Sequence, residues 1–400
     1  MSVAAAVTWS AIAEPDDPIA CWLVDRLGPA PALEWLRRAA TDPVGATVEL
    51  AAPVKQADAA VRAVGRWTPR LEAAVPERLV ERAERLGARV VVAGDEEWPQ
   101  PMNDLGPRAP YALWIRGHAD LGRAWTRSVA IVGARAATAY GEHVASGAAA
   151  SASDRGITVV SGGAYGIDAA AHRGALAADG VSIAVLAGGV DRLYPTGNAL
   201  LLERLMDHGA VVSEQPPGFA PHRSRFLSRN RLIATAGATV VVEAAPRSGA
   251  LSTARHAAEL ARPVGAVPGA ITSPSSAGCH RLIRDGMAIL LGEPADVLEL
   301  VLPLGEAVPS GERSEGSGPD FATSTERQAY GAIPRRGAGV DAVGTAAGLT
   351  VRETLAALGA LESRGLVTRL GGSWHRVTVP APRKNPPDNP DIPSQTIGET

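Results

Sequence analysis

Between Ser128 and about Leu302 the chain repeats one pattern: a short run rich in Val, Ile and Ala, then a helix-length stretch dominated by Ala. The runs occupy residues 129–132, 157–160, 182–186, 210–212, 239–242 and 263–267. A strand that is apolar on both faces has to be covered on both faces, so the pattern predicts a mostly parallel sheet sandwiched by helices. The expected fold class is therefore α/β, doubly wound. Ligands of such sheets bind outside the carboxyl ends of the strands, and the chemistry is to be sought just after each run.

The flanks read differently. Residues 1–95 carry Ala/Leu/Arg helical patterns, notably 19–40 and 76–86, broken by prolines, and read as a small N-terminal helical domain; 88–92 is strand-like, and 111–115 is a further apolar run. The α/β domain is assigned to 96–302, and the Gly-, Pro-, Ser- and Glu-rich stretch 303–323 to a linker. Within 324–378, helical segments at 325–333, 340–346 and 351–364 precede two short runs joined by Gly371-Gly372, which predicts a two-residue hairpin and a C-terminal winged helix. Its Arg352, Arg364, Arg369 and Arg376 would touch phosphate or a protein partner. The Pro-, Asn- and Asp-rich tail 379–400 is expected to be disordered.

Charge narrows the function. A formal net charge of -3 over 400 residues is not that of a polycation that coats nucleic acid through bulk charge, so any anion site must be local. The two cysteines, Cys21 and Cys279, have no metal spacing, and no metal or cofactor is expected. No uncharged apolar stretch is long enough to cross a bilayer and no basic region precedes a long apolar run at the N-terminus, which fits a reduced cytoplasm.

The first run ends in Gly133-Ala134-Arg135. Gly133 lets a phosphate approach the backbone and Arg135 reaches toward it, or the segment is a tight strand-to-helix turn with a surface arginine; it is not a complete Gly-x-Gly-x-x-Gly. The second run ends in Ser161-Gly162-Gly163-Ala164-Tyr165-Gly166-Ile167-Asp168, and a helix continues through His172. Three glycines strip side chains from the approach and present helix-terminal N–H groups, which suits phosphate. Asp168 and His172 share a helical face; Asp168 caps backbone, orients an arginine or touches ligand, and His172 reads as a hydrogen-bonded structural histidine.

After the fourth run, Arg223, Arg225, Arg229 and Arg231 crowd around Phe226 in a chain that is only 4% aromatic. Guanidinium groups beside a ring suit single-stranded nucleic acid, where charge neutralises phosphates and stacking contributes about 1–3 kcal/mol per base. The alternative is a solvated basic loop whose Phe packs inward. Glu243 ends the fifth run, Arg247-Ser248-Gly249 opens a helix that continues through Thr253, and Gly269 follows the sixth run. Several amide-rich turns on one rim make a trough that favours a polyanion.

Taken in order, these motifs resemble the DNA-processing protein A (DprA/Smf) family. The resemblance spans about residues 98 to 300 and is carried by Ile131-Val132-Gly133-Ala134-Arg135, the 161–172 segment, Tyr194-Pro195, Ser213-Glu214 and Arg229-Asn230-Arg231-Leu232-Ile233. It continues through Val242-Glu243-Ala244, the 248–254 segment, Val267-Pro268-Gly269 and Leu282-Ile283-Arg284-Asp285-Gly286. It implies an extended Rossmann-like domain, not an enzyme, that binds single-stranded DNA, forms a homodimer and loads the RecA recombinase in natural transformation. The implied DNA-binding residues are Arg135, Ser161, Gly162, Gly163, Tyr165, Gly166, Phe226, Arg229, Arg231, Ser248, Gly249 and Thr253. Asp168, His172, Asn230, Glu243 and Gly269 would hold the pocket in shape. Tyr165 stands where members of the family often carry Arg, and residues 1–95 lack a clean helix-hairpin-helix glycine pattern.

The rival reading is a Rossmann-like nucleotide-binding protein or an enzyme resembling nucleoside-monophosphate phosphoribohydrolases. Those enzymes need a second Pro-Gly-Gly-x-Gly-Thr-x-x-Glu turn, and the corresponding Arg247 to Arg255 segment has neither the paired glycines nor the Glu. Without that carboxylate a general base is missing.

Overall fold

The computed structural model describes residues 2–50, 53–302, 321, 323–334 and 337–377. Apart from 321 and 323, the expected linker lies outside the described residues, and so does the expected tail. The chain divides into two compact units, Met1–Val308 and Pro309–Thr400.

The first unit opens with six helices: α1 (Val3–Ile12), α2 (Pro18–Leu27), α3 (Pro29–Thr41), α4 (Pro43–Glu49), α5 (Val54–Leu71) and α6 (Pro76–Arg85). Four of them begin on proline, whose missing N–H would have no helical partner at that position. The 19–40 pattern splits into two helices because Gly28, at φ 83°, turns the chain ahead of Pro29. Trp9, Trp35 and Trp67 fill the centre of this bundle, with Trp9 and Trp67 edge-on at 5.5 Å.

Then follow β1 (Ala88–Val91), β2 (Leu113–Gly117), α7 (Leu121–Thr126), β3 (Ser128–Gly133), α8 (Ala139–Ser153), β4 (Thr158–Ser161), α9 (Ile167–Ala177), β5 (Ser182–Val185) and α10 (Ala199–His208). The unit continues through β6 (Ala210–Ser213), α11 (Arg223–Ile233), β7 (Ala238–Val242), α12 (Ala250–Glu259), β8 (Val264–Ala266), α13 (Ala277–Arg284), β9 (Ile289–Leu290) and α14 (Val297–Val301). The nine strands form one sheet in the order β1-β2-β6-β5-β4-β3-β7-β8-β9. From β6 to β9 the neighbours are all parallel, and toward the other edge β2 runs antiparallel to both β6 and β1.

Alternate residues of each strand face opposite layers. Ala130 and Val132 of β3 join the cluster made with α11, α12 and α13, while Val129 and Ile131 pack with α8, α9 and α14. The doubly wound fold expected from the apolar runs is thus present. Its centre matters most for function. The chain lays β4, β5 and β6 on one side of β3, then returns to place β7 directly against the other side, with Gly133 paired to Val242. The connections leaving β3 and β7 diverge there and open a crevice at the carboxyl ends of the strands.

The second unit holds α15 (Ser324–Ala332), α16 (Val340–Ala347), α17 (Val351–Ser363), β10 (Val367–Leu370) and β11 (Ser373–Arg376). Gly371 and Gly372 both have positive φ, which suits the two-residue loop of this antiparallel hairpin. Its core gathers Ala329, Val343, Leu358, Leu361, Val367 and Trp374. Two of its arginines are engaged locally, Arg369 over Trp374 and Arg376 over Tyr330.

Candidate nucleic-acid interface

A cleft of about 540 Å³ fills the crevice. Its floor is Val132, Gly133 and Ile233, and its walls come from the loop after β3, one face of α11, and the turn that leads into α12. Of the expected DNA-binding residues it gathers Arg135, Phe226, Arg229, Ser248, Gly249 and Thr253, together with Asp168 and Asn230.

Arg229 is the centre of this site. It is 5% exposed, and among the described residues neither its Nε nor its Nη1 has a hydrogen-bond partner. Burial pulls the guanidinium down to about 10, with the Asp168 carboxylate opposing that shift. Asp168 in turn is pushed up by burial and pulled down by Arg229 and by the N–H groups of Ala164 and Gly162, which donate to its Oδ2 at 3.3 and 3.1 Å. Gly162 lies directly beneath the pair: a Cβ there would sit 2.0 Å from Arg229 Nη1 and 2.6 Å from Asp168 Oδ2.

Above this base, the Arg135 guanidinium carbon lies 5.1 Å from the centre of the half-buried Phe226 ring, in cation–π range. Tyr194, 45% exposed on the loop after β5, approaches the same ring at 5.9 Å. Arg247 adds a third guanidinium to the wall. Among the described residues, Asp168 is the one carboxylate lining the cleft.

The supporting residues brace these loops. Glu243 accepts from Thr138 N at 2.9 Å and Thr138 Oγ1 at 2.6 Å, tying the end of β7 to the start of α8. Asn230 Nδ2 donates to Gly249 O at 3.3 Å, holding α11 to the turn before α12. His172 is buried away from the cleft against Ser182, and Gly269, beside His280, also lies outside it.

Several of the expected DNA-binding residues lie outside the cleft or are engaged within the protein. Arg231 is 1% exposed, and its Nη1 and Nη2 each donate to Glu214 at 2.7 Å, so its charge is spent inside the protein. Ser161 Oγ is buried and donates to Ile131 O at 2.6 Å. Part of the glycine-rich turn is committed inside the protein: Gly162 and Ala164 N–H groups are taken by Asp168, and Ile167 N donates to Ala134 O. Gly163 and Gly166 serve the turn through positive φ, and a Cβ at Gly166 would strike Ala134 O at 2.3 Å. Tyr165 is exposed but lies outside the cleft, its hydroxyl accepting from Gly197 N. Two residues were missed. Arg247 follows β7 on the same rim and was legible from that position; Tyr194 carries no charge or glycine signal and reaches the ring only through the folded loop.

Fold and crevice together define a Rossmann-like protein with a cationic, aromatic-lined switch-point cleft. The family profile described as DNA recombination-mediator protein A matches residues 89–302. A putative DNA processing protein DprA of Mycobacterium tuberculosis is 44% identical over 368 residues, 86% of this chain and 94% of that protein. Protein Smf of Escherichia coli is 41% identical over 211 residues, 52% of this chain and 56% of that protein. The X-ray structure of DNA processing protein A from Streptococcus pneumoniae superposes with a TM-score of 0.56 at 29% identity, covering 71% of this chain and 95% of that one. The chain belongs to the DNA recombination-mediator protein A family, and its role lies in DNA processing and recombination.

Proposed function

We propose that the crevice binds single-stranded DNA, and that the protein shields such strands and passes them to the RecA recombinase as a homodimer in the cytoplasm. The observation that carries the binding reading is Arg229. A guanidinium buried without a carboxylate in contact is costly unless an anion completes it, and its Nε and Nη1 lie unpartnered at the cleft. Arg135 on Phe226, with Tyr194 beside it, adds stacking surface for bases. Unpaired strands offer both phosphates and free base faces; a duplex hides the latter. The recombinase and dimer parts of the reading rest on the family resemblance.

Binding rather than hydrolysis is favoured because the one carboxylate that the described residues bring to the cleft, Asp168, is already committed to two backbone N–H groups and faces Arg229. In an oligo-dT titration, log affinity should fall linearly with log salt by about 0.7 per phosphate neutralised, and Arg229→Ala should make that slope shallower by about the same amount. A flat salt response, or equal preference for duplex, rejects the reading.

A further inference from the structure

A second cleft of about 560 Å³ lies beyond the turn that closes the first, and both are lined by Leu227, Arg247, Ser248 and Gly249. Its walls are the side of α12 carrying Ser252, Arg255 and His256, and the end of α13 carrying Arg281 and Asp285. Arg247, Arg255 and Arg281 are exposed, and among the described residues none of them is in an ion pair. Arg255 Nε donates only to Leu251 O at 3.3 Å, within its own helix. The acids at this cleft are neutralised: Asp16 takes a two-point contact from Arg108 at 2.7 and 2.8 Å, and Asp285 pairs with Arg284 at 3.2 Å. His256 faces Glu259 at 3.2 Å.

Among the described residues, three unpaired guanidiniums line this side and no Phe, Tyr or Trp ring does. That composition fits a phosphate backbone rather than bases, since bases need a π-face to stack on. We propose that this cleft holds the sugar-phosphate backbone of the strand whose bases enter the first cleft, so that the bound DNA crosses the Arg247–Gly249 turn and runs along α12 toward Arg281. The proposal rests on the single-strand reading of the first cleft and adds the direction in which the strand leaves it.

The test compares oligo-dT of about 5 and about 20 nucleotides on the full chain, using the double variant Arg255→Ala/Arg281→Ala and its charge-keeping counterpart Arg255→Lys/Arg281→Lys. The double Ala variant should bind the short oligonucleotide within about twofold of the unaltered protein, lose about tenfold in affinity for the long one at moderate salt, and show a long-strand salt slope shallower by about 1.4, two phosphates' worth. The Lys variant should restore that slope. An unchanged affinity and slope for the long strand, with the short one still bound, overturns the second cleft alone and would leave its charges to an acidic protein surface. Failure of the unaltered protein to bind either length overturns both readings.

Discussion

A guanidinium removed from water without a partner costs several kcal/mol, and one paired inside the protein is costly to break. Arg229 and Arg231, two residues apart, fall on either side of that distinction. On a helix of 3.6 residues per turn, a step of two rotates a side chain by about 200°, so α11 sends Arg229 to the cleft and Arg231 to Glu214. The cluster of basic residues was legible in the sequence, but its division was not, because the division requires knowing that the segment is helical. Arg231→Ala should cost about 3–5 kcal/mol of stability, since it strands the buried Glu214 carboxylate. Arg229→Met should cost clearly less stability than Arg231→Ala, because Asp168 keeps its two backbone N–H donors when the guanidinium is gone, while single-strand binding falls. Equal losses of stability for the two variants would remove the distinction. Phe226→Ala should weaken oligo-dT binding by about 1–3 kcal/mol with the salt slope kept; a change of slope without loss of affinity would mean the ring is not a stacking surface.

At the scale of elements, α11 is held from behind by the loop between α1 and α2. Arg225 donates to Glu14 through Nε at 2.8 Å and Nη2 at 2.9 Å, and the Arg225 hydrogen bond is the main reason the Glu14 carboxyl is held below its ordinary range. The N-terminal helices therefore help position the helix that carries Phe226 and Arg229. Glu14 is about two-fifths exposed, so Glu14→Gln should cost global stability only about 0.2–1 kcal/mol, yet speed amide exchange over α11 while leaving β3 and β7 unaffected. Unchanged exchange over α11 would show that the contact positions nothing. The parallel strands were readable because burial on both faces leaves an unbroken apolar run. β9, with two residues, both exposed, leaves no such mark. The glycine turn after β4 was readable as a turn but not for its inner contacts: the Gly162 and Ala164 N–H groups serve Asp168, and Gly162 makes room for the Arg229 and Asp168 side chains.

For the whole molecule, acid is the informative stress. His172 on α9 is fully buried, and Ser182 Oγ donates to Val159 O, leaving His172 Nδ1 as donor to Ser182 and Nε2 unprotonated without a partner. Burial, aided by Arg229 and Arg173, lowers its pKa to about 3. The unfolded chain takes up this proton as the pH drops through about 6.5, whereas the folded chain does not until about 3. Stability therefore rises with pH across that window, and acidification removes about 1.4 kcal/mol per unit from this group alone. Urea midpoints measured between about pH 7 and 4 should fall less steeply for His172→Gln than for the unaltered protein; matching slopes would place the acid sensitivity elsewhere.

The reversal of strand order at β3 and β7 has one more effect. It sets the cleft inside a nine-stranded sheet, with four strands between β3 and the β1 rim and β8 between β7 and the β9 rim. Warming such a sheet frays its margins first, so the crevice should outlast β1 and β9 as the protein melts.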